Sequence, residues 1–165
     1  PLDEIARLDA TRRRELTEAR LDLLVGQGVL ADAGPLRAIL DALPALAPAT
    51  THLVHGDLHA GQLLVDADAR LCGVIDWGDV HLGDPGTDLA AVHALLPPDA
   101  HATFLAHYLG DGRGAGDAGV PEWRWRAARV RATWHSIALA AYGLDRGDRA
   151  LVEEARTALR MILAA

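Results

Sequence analysis

The chain has 165 residues, half of them hydrophobic, with 23 acidic against 16 basic side chains. That length accommodates one domain with a real core, and the apolar content excludes a disordered chain. A net charge of −7 argues against a nucleic-acid-binding surface, no apolar run reaches the ~18 residues of a membrane span, and the lone Cys72 cannot close an internal disulfide, so the expected setting is the cytoplasm.

All 16 basic residues are Arg, and Lys and Asn are both absent. No reaction run by this chain alone can therefore use a lysine. The opening Pro1-Leu2-Asp3-Glu4 is neither basic nor apolar and does not read as a secretory signal.

In chain order, Leu2 to about Val25 has helical apolar spacing at Ile5, Leu8, Leu16, Leu23 and Leu24. Pro35 suits a first helical position, and Leu36, Ile39, Leu40 and Leu43 predict a short helix closed by Pro44 and Pro48. The period then changes. Residues 51–54 form a short extended run, and 63–65 and 71–75 predict a hairpin around the acidic turn 66–70. Helices are expected again over 88–96, 99–109 and 122–142, with a Gly- and Asp-rich loop at 110–119. Asp148 is placed to cap a last helix through Leu163, with Leu151, Ala155, Leu159 and Ile162 on one face. The fold class is thus mainly α with one small β-hairpin in the middle.

Polar density concentrates at that hairpin, where His55, Asp57, His59, Asp76, Asp79, His81 and Asp84 gather. Burying and crowding such groups is costly unless they do something. If the two strands pair, Gln62 and Asp76 meet at one end, and Asp57 comes back beside them. Side-chain oxygens from Gln62 and Asp76 suit a hard cation such as Mg²⁺, while a third carboxylate is free to orient or deprotonate a hydroxyl. Gly56 and Gly61 allow the intervening loop to turn tightly.

The run His55-Gly56-Asp57-Leu58-His59-Ala60-Gly61-Gln62 resembles the catalytic loop of the aminoglycoside phosphotransferase family, within the protein-kinase-like fold. Ile75-Asp76-Trp77-Gly78-Asp79 resembles the family's version of the kinase D-F-G segment, and residues 83–90 resemble the stretch that follows it. The resemblance implies the helical C-terminal lobe of that fold, acting on ATP with Mg²⁺ to phosphorylate a hydroxyl of a small molecule, aminoglycoside-like or another polar alcohol. It implies Asp57 as the catalytic aspartate. Asp76 is implied as a metal ligand, and so is Gln62, which stands where the family usually has Asn. His55 and Asp88 are implied as structural supports, with Trp77 as packing, and His59, Asp79 and Trp134 as candidates for the substrate side.

The same fold uses an N-terminal lobe with a glycine-rich cover and a phosphate-gripping lysine. This chain has no lysine, and its only glycine-rich run, 110–116, follows the catalytic motifs. The chain is therefore expected to be a single C-terminal lobe over 1–165, with the ATP-gripping lobe absent, and inactive without it. Two other readings stand beside this one. One is a catalytically inactive or partner-dependent lobe. The other is a metal hydrolase built on His55, Asp57 and His59, whose alternation would place three ligands on one face of a strand. His52, His93, His101 and His107 are expected to be ordinary helix or surface residues, His135 to be core, and Arg124, Arg126, Arg129 and Arg131 to form mostly one solvated stripe.

Overall fold

The computed structural model describes residues 10–42, 52–108 and 120–165. The expected helix start at 2–9, the closing Pro44 and Pro48, and the glycine-rich stretch 110–119 lie outside the described residues.

Among the described residues, six α-helices and four short strands follow in order: α1 (Ala10–Gly26), α2 (Gly34–Asp41), β1 (His52–Val54), β2 (Leu63–Val65), β3 (Leu71–Val74), β4 (His81–Gly83), α3 (Gly86–Leu95), α4 (His101–Tyr108), α5 (Glu122–Arg146) and α6 (Arg149–Ala164). The hairpin is present: β2 and β3 pair antiparallel, Leu63 opposite Val74. A second antiparallel pair joins β1 to β4, Val54 opposite His81, and was not foreseen. Three residues ending in a glycine, beside an Asp-Pro turn, give too little alternation to mark a strand.

Helix α5 is the centre of the lobe, packed by α1, α2, α3 and α6. Its small buried residues, Ala132, Ala140 and Ala141 among them, let the neighbouring helices approach closely. Leu21 and Leu24 of α1, Leu36 of α2, Ile137 of α5, and Leu159 and Ile162 of α6 make the main core. The α6 face expected from sequence is the buried one, with Ala155, Leu159 and Ile162 at 1 % exposure or less.

The α5–α6 junction is fixed locally. Gly147 adopts the left-handed conformation (φ 66°), Asp148 N–H donates to Gly143 O at 2.8 Å, and the Asp148 carboxylate accepts from Leu151 N–H at 3.1 Å, which caps α6 as expected.

The arginines of α5 do not form one solvated stripe. Arg126 is exposed. Arg129 donates twice to the Ile162 carbonyl (3.1 and 2.8 Å), tying α5 to the end of α6. Arg131 is buried and hydrogen-bonded to Thr87, and Arg124 reaches the buried Asp84. A helix this central has no face left for water alone, so its long cations reach out to neighbouring backbones and carboxylates.

Candidate active site

The loop between β1 and β2 is held from below by the first turn of α3. Asp88 accepts two backbone hydrogen bonds, from His55 N–H at 2.7 Å and Gly56 N–H at 3.0 Å. Gly56 sits at φ +90°, and a Cβ there would stand 2.5 Å from the Asp79 carbonyl. No other residue fits that turn. The His55 ring, 3 % exposed, spans two segments. Its Nδ1 accepts from Asp57 N–H at 3.4 Å, so its Nε2–H donates to Ile75 O at 2.9 Å. One side chain thus links the backbone of Asp57 to the residue before Asp76. Trp77 leans on the same ring, 4.8 Å between centroids, and its indole N–H donates to Val74 O at 3.0 Å, though half its surface is exposed.

Gln62 and Asp76 are brought to one end of the hairpin, where Ile75 N–H donates to Gln62 O at 2.9 Å. Gln62 is buried, and its side-chain oxygen Oε1 has no hydrogen-bond partner. An orphaned buried amide oxygen is unfavourable, and it is also the donor type a hard cation takes. Asp76 adopts the left-handed conformation (φ 61°, ψ 57°), uncommon for a residue with a Cβ, and its carboxylate side is exposed. An amide oxygen and a carboxylate at one hairpin end are the donor types Mg²⁺ takes.

Asp57 is half-exposed. Its Oδ2 lies 3.9 Å from Nε2 of His59, too long for a hydrogen bond. The other ring nitrogen of His59 accepts from Gly61 N–H at 3.1 Å, which puts the ring proton on the side of Asp57. His59 stacks on His135 of α5 (5.5 Å, 26°). Beside this pair opens a cavity of about 390 Å³ between the loop and helices α3, α5 and α6.

Several placements differ from expectation. His135 is exposed and lines the cavity rather than the core. Trp134 is buried, and it is the next two residues, His135 and Ser136, that line the cavity. Asp79 is exposed in the turn after Asp76, where its carbonyl accepts from His81 Nδ1 at 2.8 Å. It is not part of the cavity wall. His93 and His101 are buried, edge to face on each other at 5.1 Å, and both pack against Trp125 at 4.2 and 5.4 Å. His55, Asp57 and His59 do not converge as ligands, because both nitrogens of the His55 ring are engaged by backbone. Among the described residues no group of three or more His, Cys, Asp or Glu side chains is placed to hold a metal. That removes the hydrolase reading.

Asp84, one of the polar residues gathered around the hairpin, serves the fold. It is 8 % exposed, accepts from Gly86 N–H at 2.8 Å and pairs with Arg124 at 3.3 Å. Both oxygens are used in holding the start of α3 against α5.

The profile of the phosphotransferase enzyme family, APH, matches residues 1–130. The chain belongs to that family. It is 40 % identical over 114 residues to viomycin phosphotransferase of Streptomyces vinaceus, which covers 67 % of this chain and 36 % of that protein. It is 31 % identical over 61 residues to the uncharacterized protein YcbJ of Bacillus subtilis strain 168, covering 37 % of this chain and 20 % of that one. A macrolide 2'-phosphotransferase type I of known structure is 25 % identical, with a TM-score of 0.48, over 92 % of this chain and 48 % of that one. The chain thus spans about a third or less of the curated relatives it matches. Family membership gives the lobe its place in the protein-kinase-like fold, as the catalytic-loop motifs implied. No helix among the described residues is long and apolar enough to cross a membrane.

Proposed function

We propose that this lobe carries the catalytic groups of an ATP-dependent kinase that phosphorylates a hydroxyl of a small molecule. The observation that carries the reading is a buried, unsatisfied Gln62 Oε1 beside the exposed Asp76 at one end of the hairpin. A cation would give that oxygen the partner it lacks. Viomycin phosphotransferase, a relative across two-thirds of this chain, supports transfer to an antibiotic-like alcohol.

Asp57 directly precedes Leu58 and His59 of the cavity wall, and its half-exposed carboxylate is open to a substrate. As the acceptor oxygen forms a bond to the γ-phosphorus, the bond from that phosphorus to the departing ADP oxygen breaks, and the hydroxyl proton passes to Asp57. Gln62 and Asp76 would hold Mg²⁺, which when bound neutralises charge on the ATP phosphates. His55 and Asp88 keep the loop backbone fixed, so that Asp57 meets its substrate without reorganising. Catalysis is then mostly positioning.

The gripping lysine must come from elsewhere, since this sequence has none. The surface around the hairpin supports a covering lobe: Leu53, Leu64, Leu71, Ile75, Trp77 and Leu82 are each 44 to 70 % exposed on neighbouring strands and turns. Apolar surface gathered in this way marks a contact site. Nucleotide and N-terminal lobe together would cover it.

The test is γ-phosphate transfer from ATP by the protein with its N-terminal lobe supplied, compared with Asp57→Asn. Loss of a general base at this position is expected to cost ~10²–10⁴-fold in rate. Transfer at an undiminished rate in the variant would overturn the assignment.

A further inference from the structure

Asp57 and His59 stand across a gap that neither closes. His59 Nε2 lies 3.9 Å from Asp57 Oδ2, and the two side chains keep 34 % and 51 % of their surface open. The separation is too long for a hydrogen bond, yet one oxygen about 2.9 Å from each atom fits it. The two ends of the gap differ in kind. Nδ1 of His59 accepts from Gly61 N–H, capping the single turn Ala60–Gln62, so the proton of the neutral ring sits on Nε2. An ionised Asp57 only accepts. A donor and an acceptor at this spacing match the two sides of a hydroxyl group, which accepts through a lone pair and donates through its hydrogen.

The His59 ring is also held by a second element. His135 of α5 stacks on it, 5.5 Å between centroids and 26° between planes, and both residues line the cavity beside the loop. The stack joins the loop that carries Asp57 to the central helix of the lobe. It does so at the side chain whose far nitrogen lies nearest the Asp57 carboxylate.

We propose that the oxygen receiving the phosphate is bound between Asp57 and His59, and that His135 is a positioning residue that fixes the His59 ring for it. This rests on the kinase reading of the site. His59 Nε2–H donates to one lone pair of the oxygen. The other lone pair forms the bond to the γ-phosphorus, the bond from that phosphorus to the ADP oxygen breaks, and the hydroxyl proton passes to Asp57. The oxygen is thus oriented from two sides before it reacts. Nothing in the arrangement depends on the rest of the acceptor, so a water molecule can take the same place and yield ADP and phosphate.

Water is therefore the probe, and the assay is ATP hydrolysis by the protein with its N-terminal lobe supplied and no other acceptor present. His59→Asn keeps a side-chain oxygen to cap Gly61 N–H and removes the Nε2–H. It should lower kcat roughly tenfold, the worth of one hydrogen bond, and leave KM for ATP and the melting temperature unchanged. In the Asp57→Asn background the same substitution should cost less than about twofold more, because both groups act on one oxygen. His135→Ala should lower kcat roughly threefold, and His135→Phe should restore it by keeping the stack. An unchanged kcat in His59→Asn would overturn the proposal, as would a full tenfold loss on top of Asp57→Asn or a kcat indifferent to His135→Ala. So would nitrogen NMR of the chain alone showing the His59 ring proton on Nδ1. Hydrolysis that depends on Asp57 but not on His59 sinks this proposal and spares the kinase reading. No Asp57-dependent hydrolysis at all sinks the kinase reading, and this proposal with it.

Discussion

Acid should destabilise this lobe through one buried ring, His93. It lies on α3 at 1 % exposure, its Nε2–H donates to Trp125 O at 3.2 Å, and its Nδ1 is buried without a partner. Burial, with a smaller contribution from the neighbouring His101, pushes its pKa down from 6.5 to about 4. Protonation would place a second N–H on a buried nitrogen that has no acceptor. The sign follows: the unfolded chain takes up this proton near pH 6.5 and the folded one near 4, so stability is full above pH 6.5 and falls as the pH drops toward 4. At pH 5 the loss is about 2 kcal/mol, from a pKa difference of ~1.4 kcal/mol per unit acting over 1.5 units. For a domain of this size that is a fall of ~4–8 °C in melting temperature. Thermal melts at pH 7 and pH 5 on the wild type and His93→Gln isolate the effect, because the variant keeps every other titrating group. The drop between the two pH values should be smaller in the variant by about that amount. Equal drops in both proteins would refute the reasoning, as would a His93 ring that titrates near pH 6.5 by NMR.

Gln62→Met removes the orphaned oxygen and should raise the stability of the metal-free chain by ~1 kcal/mol, seen as a higher denaturant midpoint, while abolishing any stabilisation by Mg²⁺ with nucleotide. Gly56→Ala should cost ~2–4 kcal/mol in chemical denaturation, since it adds a left-handed penalty to a 2.5 Å clash with the Asp79 carbonyl. Ala69, at φ 59° in the β2–β3 turn, points the other way: Ala69→Gly should stabilise by ~0.5–1 kcal/mol in the same assay. Asp88→Asn keeps one acceptor for two backbone donors and should lower kcat of the complete enzyme more than it raises KM, a split measurable by initial rates.

The family was legible because its motif segments, 55–62 and 75–79, fix residue types at set spacing. The helices were legible from period, and α6 from its cap as well. Other features lie outside any local pattern. The β1–β4 pair joins segments some thirty residues apart, and neither strand is long enough to alternate. His135 reads as core because Trp134 and Ile137 flank it, yet one step around the helix turns it out beside His59. His93 and His101 read as surface because histidine tolerates both settings, and only the packing of α3 against α4 and α5 buries them. The cavity escaped altogether. It is made of small residues from separate helices, and an alanine gives no sign of facing a space rather than a neighbour.

Hydrogen-bond accounting sorts the polar residues of the hairpin in a way that residue type does not. Asp88 spends both oxygens on backbone donors, His55 both nitrogens, and Asp84 one oxygen on Gly86 N–H and the other on Arg124. These groups are finished in the fold, and removing any of them leaves a donor unmatched. Asp57 and Gln62 are the opposite kind. One carboxylate stands beyond hydrogen-bond reach of its nearest base, and one buried amide oxygen has no partner. In a lobe whose other buried polar groups are largely satisfied, those are the positions where a ligand changes the energy most. Substituting the first group should lower stability and activity together. Substituting the second should spare or raise stability and take only binding or turnover. That contrast, measured across the five positions, separates support from chemistry without knowledge of the substrate.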